Sequence, residues 1–249
     1  MRRINIIPKW TWYNKEYNLS RESRGKMVNK KKNIILIVLL GCLVMGFVDS
    51  VIRPGYLIKS FIKIILFSII PITYSRYNKE LNLSSLFKIK NKKEIMVAIL
   101  AGIGVFTIIF GAYLLIGKFF DFSNVVSSLS ENAGVTISNF IFVAIYISFI
   151  NSLLEELFFR GFSFLKLKEV ASRKFAYIFS SLAFAMYHVA MMIGWFDISL
   201  FLLTIIGLFI GGLILNYFND KYKNIYVTWL IHMFANFAIN YIGFLLFRI

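Results

Sequence analysis

The chain has 249 residues, of which 59% are hydrophobic and 27 are Phe, and its mean hydropathy is +0.73. A soluble domain has about half of its residues apolar, so this composition excludes an ordinary soluble protein and indicates a polytopic membrane protein. The formal charge of +16 comes from Lys and Arg, which lie mainly between the apolar segments. That placement is typical of a membrane orientation signal and does not predict a nucleic-acid partner.

Seven apolar segments predict an all-α, polytopic bundle of about seven transmembrane helices, since one span needs about 20 residues. The second segment is the least regular, because Lys59 and Lys63 lie in its first half and Pro71 lies near its end. We expect these lysines to snorkel toward the interface, or the helix to tilt. The predicted spans are residues 33–52, 57–74, 95–117, 137–165, 175–194, 199–215 and 225–247.

Basic residues are concentrated in the N-terminal segment and in residues 75–94, 166–174 and 216–224. These four segments alternate with connections that carry little positive charge. The positive-inside rule therefore predicts a cytosolic N-terminus and a multi-pass protein of the plasma membrane. Residues 1–32 contain no apolar core of the signal-peptide type, so we expect a retained, basic cytoplasmic segment there.

Charged and polar groups recur within three of the predicted spans. Glu155, Glu156 and Arg160 lie in the fourth span, and the two histidines of the chain, His188 and His232, lie in the fifth and seventh. Each charge at the centre of a span costs roughly 2.5–3.5 kcal/mol, so such groups usually face the protein interior and serve a function. Because lipid offers no hydrogen bonds, a shared interior site is predicted, in the cytosolic half of the bilayer.

Spacing along each helix suggests the partners of these groups. Residues four apart share a face, which pairs Glu156 with Arg160. The two glutamates differ by about 100° around the helix and are expected to contact different groups. Arg160 is placed to keep Glu156 ionised, and Glu155, for which no neighbouring cation is expected, is the candidate for proton transfer. The same spacing pairs Phe184 with His188, and His232 with Asn236.

Three motifs in these spans form a family pattern. Residues 155–160 read EELFFR (EExxxR), residues 184–188 read FAMYH (FxxxH) and residues 232–236 read HMFAN (HxxxN). The set resembles the CAAX-protease and bacteriocin-processing (Abi, CPBP) family of intramembrane endopeptidases. The resemblance covers residues 95–249, which we take as the protease core, and leaves residues 33–94 as two N-terminal spans with a basic loop.

The resemblance implies hydrolysis of a peptide bond in a membrane-embedded or lipidated peptide or protein. Glu155, assisted by His188, would activate a water molecule, and His232 and Asn236 would donate hydrogen bonds to the oxyanion. Glu156 and Arg160 would orient the site, with Phe184 packed beside His188. The partners are therefore the substrate and the lipid bilayer.

A metal ion is the open question for this set of residues. His188, His232 and Glu155 could hold Zn²⁺ as a His₂Glu site with an open position for water. The HExxH spacing of helix-borne zinc proteases is absent, and Asn236 suits an oxyanion better than zinc. We favour a metal-free site without a cofactor.

Two other functions compete with proteolysis. A noncatalytic role on the same fold, such as bacteriocin immunity or scaffolding, would keep the polar groups for structure. A transporter with an intramembrane proton relay would be expected to contain inverted repeats, and the sequence has none that we detect.

Overall fold

The computed structural model describes residues 21–78, 81 and 83–247. Residues 1–20, which form most of the predicted cytoplasmic segment 1–32, lie outside this range. The described residues contain helices and no strand, and seven of their helices are long and apolar enough to cross a membrane, which confirms the predicted all-α bundle of seven spans. In chain order, spans 1 to 7 are Ser23–Ile52, Tyr56–Tyr77, Lys92–Phe119, Phe140–Val170, Arg173–Met192, Ile198–Tyr222 and Ile225–Phe247.

Several helices extend beyond the apolar segments that predicted them. Span 6 continues through polar residues to Tyr222, because backbone hydrogen bonding carries a helix past the point where its hydropathy falls. A further helix, Ser123–Ala133, lies between spans 3 and 4 and was not predicted. It ends at Gly134, whose φ of 64° lets its N–H bond the last carbonyl groups of the helix.

A hydrophobic core rich in aromatic rings joins spans 1, 2, 4 and 5. Phe67 of span 2 stacks on Phe158 of span 4, with ring centroids 4.0 Å apart, and Phe159 meets Phe67 edge to face. The three rings are completely buried. Outward-facing side chains such as Leu57 and Leu115 are apolar and exposed, as expected for helices surrounded by lipid. The core therefore fixes the middle of span 4, where the acidic motif begins.

Glycines set the closest helix contacts. Span 3 meets span 7 at Gly102, where an added Cβ would lie 2.5 Å from the ring of Phe234. Span 6 meets span 5 at Gly212, where an added Cβ would lie 3.0 Å from Ser181. Gly207 and Gly211 of span 6 form a small-xxx-small pattern, which often permits close helix approach, but both positions face open space. The helix is rotated so that the adjacent glycine, Gly212, faces its neighbour.

Span 4 changes its helical winding on both sides of Glu155. It is π-helical at Ile147–Asn151 and Glu156–Lys166, with one α-helical turn at Ser152–Glu155 between them. Such π turns interrupt the regular hydrogen-bond pattern and often occur at functional sites. Span 7 supplies donors to this region. Trp229 Nε1 lies 2.9 Å from the carbonyl oxygen of Phe149, and Asn240 Nδ2 lies 3.2 Å from that of Ala144.

Candidate active site

The three motifs meet in the interior of the bundle. Glu155 and Glu156 on span 4 are buried, with 2% and 0% of their surface exposed, and His232 on span 7 is 7% exposed. Glu155 Oε2 lies 3.9 Å from Nε2 of His188 and 3.7 Å from Nε2 of His232. Spans 4, 5 and 7 therefore bring one carboxylate oxygen and two ring nitrogens together.

Each histidine ring is held by a hydrogen bond at Nδ1, the nitrogen that does not face Glu155. His188 Nδ1 lies 2.7 Å from the carbonyl oxygen of Phe184, and because a carbonyl only accepts, Nδ1 must carry the proton. His232 Nδ1 lies 2.9 Å from Glu156 Oε1 and donates to this carboxylate. The neutral form of each ring then directs an unprotonated Nε2 toward Glu155, an assignment that follows from the hydrogen-bond partners.

This arrangement has a clear chemical consequence. Glu155 Oε2 and the Nε2 atoms of His188 and His232 are all acceptors, so none of them satisfies another. A water molecule can donate to two of these atoms, and a proton can be held by any of them. Among the described residues, no group of three or more His, Cys, Asp or Glu side chains has the geometry to hold a metal ion. The site thus has the atoms to bind a water molecule and to accept its proton.

The second oxygen of Glu155 is held from span 2. Lys63 Nζ lies 2.6 Å from Glu155 Oε1, and Asn151 Nδ2 lies 2.9 Å from the same oxygen. The expectation that Glu155 has no neighbouring cation is therefore wrong. Lys63 does not snorkel, since it is only 5% exposed and points into the bundle. Because the buried Glu155 carboxylate binds the ammonium group inside the bundle, Lys63 does not need to reach the membrane interface for a partner.

The pairing of Glu156 with Arg160 is present as predicted. Arg160 Nε lies 3.5 Å from Glu156 Oε1, and the guanidinium group lies 4.0 Å from the centroid of the Phe184 ring. Phe184 also meets the ring of His188 edge to face, with centroids 4.7 Å apart. Phe184 therefore packs against both the histidine and the arginine.

One relationship differs from the predictions, and Asn236 makes a contact that was not predicted. The expectation that the glutamates contact different groups is wrong for His232, whose two nitrogens face Glu155 and Glu156 on opposite edges of one ring. Asn236 directs Nδ2 to the backbone carbonyl of Ile147, at 3.2 Å, and thereby ties span 7 to the first π turn of span 4.

Lys63 and Asn151 were not predicted as site residues, although the sequence contains a feature that points to each of them. Lys63 is a charge within an apolar segment, the same anomaly that identified the glutamates. Asn151 precedes Glu155 by four residues and so shares its helix face.

A cavity of about 540 Å³ lies away from the site, near Val126 and Phe247, and its lining contains none of the motif residues. Converging polar atoms, rather than cavity volume, distinguish the site.

Comparison with protein families gives a match over residues 137–238, to the family described as type II CAAX prenyl endopeptidase Rce1-like. Comparisons with curated proteins and with solved structures found no match. The matched region contains all three motifs, whereas Lys63 lies before it. This family implies intramembrane protease activity. Residues 137–238 of this multi-pass membrane protein are therefore similar to the Rce1-like family, which confirms the family resemblance that the three motifs indicated.

Proposed function

We propose that the protein is an intramembrane endopeptidase in which Glu155 activates a water molecule. The observation that carries this proposal is the convergence of three acceptor atoms. The Nε2 atoms of His188 and His232 lie 3.9 and 3.7 Å from Glu155 Oε2. All three side chains are anchored through their other polar atoms, so these acceptors are left for a reacting molecule.

In the proposed reaction the water donates one hydrogen to Glu155 Oε2 and the other to His188 Nε2. As the water oxygen attacks the scissile carbonyl carbon, Glu155 takes the first proton and the carbonyl oxygen becomes an oxyanion. Collapse of this intermediate breaks the C–N bond, and the proton passes from Glu155 to the leaving nitrogen. One water is consumed, and a carboxylic acid and an amine are formed.

Oxyanion stabilisation is assigned to His232 and Asn236. His232 donates from Nε2 only when its ring carries a second proton, so this step starts from a site in which His232 Nε2 has taken up one proton from water. The Glu156 carboxylate at Nδ1 balances the charge of that form. Asn236 uses one amide hydrogen on the Ile147 carbonyl and has a second hydrogen for the oxyanion. One such donor contributes about 2.7–4 kcal/mol to transition-state stabilisation in other enzymes. No metal or cofactor takes part in this mechanism.

The substrate class is a membrane-embedded or lipidated peptide or protein, because the reacting groups are buried among spans. The site is assigned to the cytosolic half of the plasma membrane on the alternation of basic segments, which also favours a cytosolic N-terminus. The bilayer is the only other partner in this proposal, and nucleic acid has no role.

The proposal is tested by expressing the wild-type protein and Glu155→Gln at equal membrane levels and comparing peptides in membrane and medium by mass spectrometry. Peptides released by the wild type should be absent with Glu155→Gln, His188→Ala and His232→Ala. Glu131→Gln, at an exposed glutamate of the short helix Ser123–Ala133, is the matched control and should give the wild-type profile. Identical profiles for wild type and Glu155→Gln would overturn the proposal and favour a noncatalytic immunity or scaffolding role.

A further inference from the structure

We propose that Lys63 is a positioning residue of the proposed protease, supplied by a helix outside the region that matches the family. This inference rests on the proposed function. It assigns span 2 a role in the reaction: Lys63 fixes the Glu155 carboxylate so that one oxygen is held and the other faces the two histidines.

The position of the Lys63 ammonium group is determined by contacts on several sides. It donates to Glu155 Oε1 and to Asn151 Oδ1 on span 4. It also lies 4.9 Å from the centroid of the Tyr187 ring and 5.3 Å from that of Phe67. Aromatic faces attract a cation at such distances. The lysine is therefore held in one place by partners on spans 2, 4 and 5.

The contacts of Glu155 divide between its two oxygens. Oε1 accepts from Lys63 and from Asn151, while Oε2 faces the Nε2 atoms of His188 and His232. Without Lys63, the carboxylate loses its shortest contact and can turn about its terminal bond. A base that is misplaced by about 1 Å loses about a hundredfold in rate, so holding Oε1 supports the use of Oε2.

Lys63 also balances the buried charges. Glu155 and Glu156 are two carboxylates in the interior, and Lys63 and Arg160 are two cations, each at most 5% exposed. With both cations present, His188 need not be charged to compensate the glutamates. His188 can then remain neutral and accept a hydrogen from water, as the proposed reaction requires.

The test measures kcat and KM of purified full-length protein in proteoliposomes, using a fluorogenic peptide that spans the cleavage sequence found by mass spectrometry. Lys63→Met should lower kcat about a hundredfold, with KM within about threefold of wild type, because the base is misplaced while the substrate contacts remain. Lys63→Arg, which keeps the cation, should recover at least a tenth of the wild-type kcat.

Lys59→Met is the matched control. Lys59 lies one turn earlier on span 2 and pairs with another buried carboxylate, Asp49, at 3.3 Å. Its removal also takes the contacting cation away from a buried carboxylate, yet it should leave kcat of the folded protein within about twofold, because Asp49 is not part of the proposed reaction. This control separates general destabilisation from loss of positioning.

A second measurement needs no substrate. Lys63→Met and Glu155→Gln should each lower Tm, by about 5–10 °C for the lysine variant, whereas the double variant should recover at least half of that loss. If Lys63→Met does not accumulate in membranes, Lys63→Gln replaces it in the kinetic test. The proposal then predicts that the kcat of Lys63→Gln is at least tenfold lower than that of wild type.

The possible failures are distinguishable. Cleavage by Glu155→Gln at the wild-type rate overturns the proposed function itself. An inactive Glu155→Gln together with a Lys63→Met or Lys63→Gln variant whose kcat stays within threefold of wild type overturns only the positioning role. Additive Tm changes in the double variant would show that the two side chains do not interact, and would overturn the positioning role as well.

Discussion

His232 Nδ1 lies 2.9 Å from Glu156 Oε1, so the ring is anchored on the edge that faces away from Glu155. This contact crosses from span 7 to span 4 and fixes which nitrogen of the ring faces the proposed water position. Partners that hold a functional histidine in this way determine its tautomer and its orientation. In the proposed mechanism, Glu156 therefore acts through His232 rather than on the substrate.

Glu156→Gln should lower kcat about 10–100-fold, the range seen when the carboxylate behind a functional histidine is removed from other sites. It should also lower the free energy of unfolding by about 3–5 kcal/mol, since Arg160 would stay buried without its anion. Activity assays and thermal unfolding of the purified protein measure both effects. The exposed Glu131→Gln is the control, and wild-type values for both variants would contradict the assigned role.

Gly102→Ala should destabilise the contact between spans 3 and 7, because the new Cβ would meet the Phe234 ring at 2.5 Å. Overpacking of this kind costs about 1–3 kcal/mol. Gly104→Ala, two residues along the same helix, meets nothing within 4 Å and should be neutral or slightly stabilising. Thermal unfolding of the two variants in the same detergent makes the comparison, and equal Tm values would count against this helix contact.

Asn240→Leu removes two hydrogen bonds that connect span 7 to the region of the first π turn in span 4. Its Nδ2 atom donates to the carbonyl oxygen of Ala144 at 3.2 Å and to Ser148 Oγ at 3.0 Å. Hydrogen bonds between membrane helices contribute about 0.6–2 kcal/mol, so Tm should fall by a few degrees. Faster hydrogen exchange in Ile147–Asn151 should accompany the change. Ile239→Leu, at the exposed neighbouring position, should alter neither quantity.

Asp220→Asn should loosen the connection between the junction of spans 4 and 5 and the end of span 6. Its carboxylate bonds Lys168, Arg173 and Lys223, and the Asn variant would leave these three cations together. Two of the three cations are substantially exposed, so we expect a loss of only about 1 kcal/mol. The loss should shrink at about 0.5 M salt, where like charges are screened. A loss that does not depend on salt would argue for packing instead of charge.

The sequence predicted the bundle and the meeting of its motifs for one physical reason. A span cannot leave Glu155, His188 or His232 in lipid without a polar partner, so their presence in separate spans required a common interior. Hydropathy identified all seven spans for a similar reason, because about 20 apolar residues have no other stable environment. The catalytic roles assigned to the motif residues stay predictions that the proposed experiments test.

Spacing along one helix determined which residues share a face, and this was enough to pair Glu156 with Arg160 and Phe184 with His188. It carried no information on which helix lies opposite. Only the tertiary structure brought Lys63 to Glu155, set His232 between two carboxylates and directed Asn236 to the carbonyl of Ile147. These contacts depend on how the helices are rotated and on the π turns of span 4, and both are decided by packing among spans far apart in the chain.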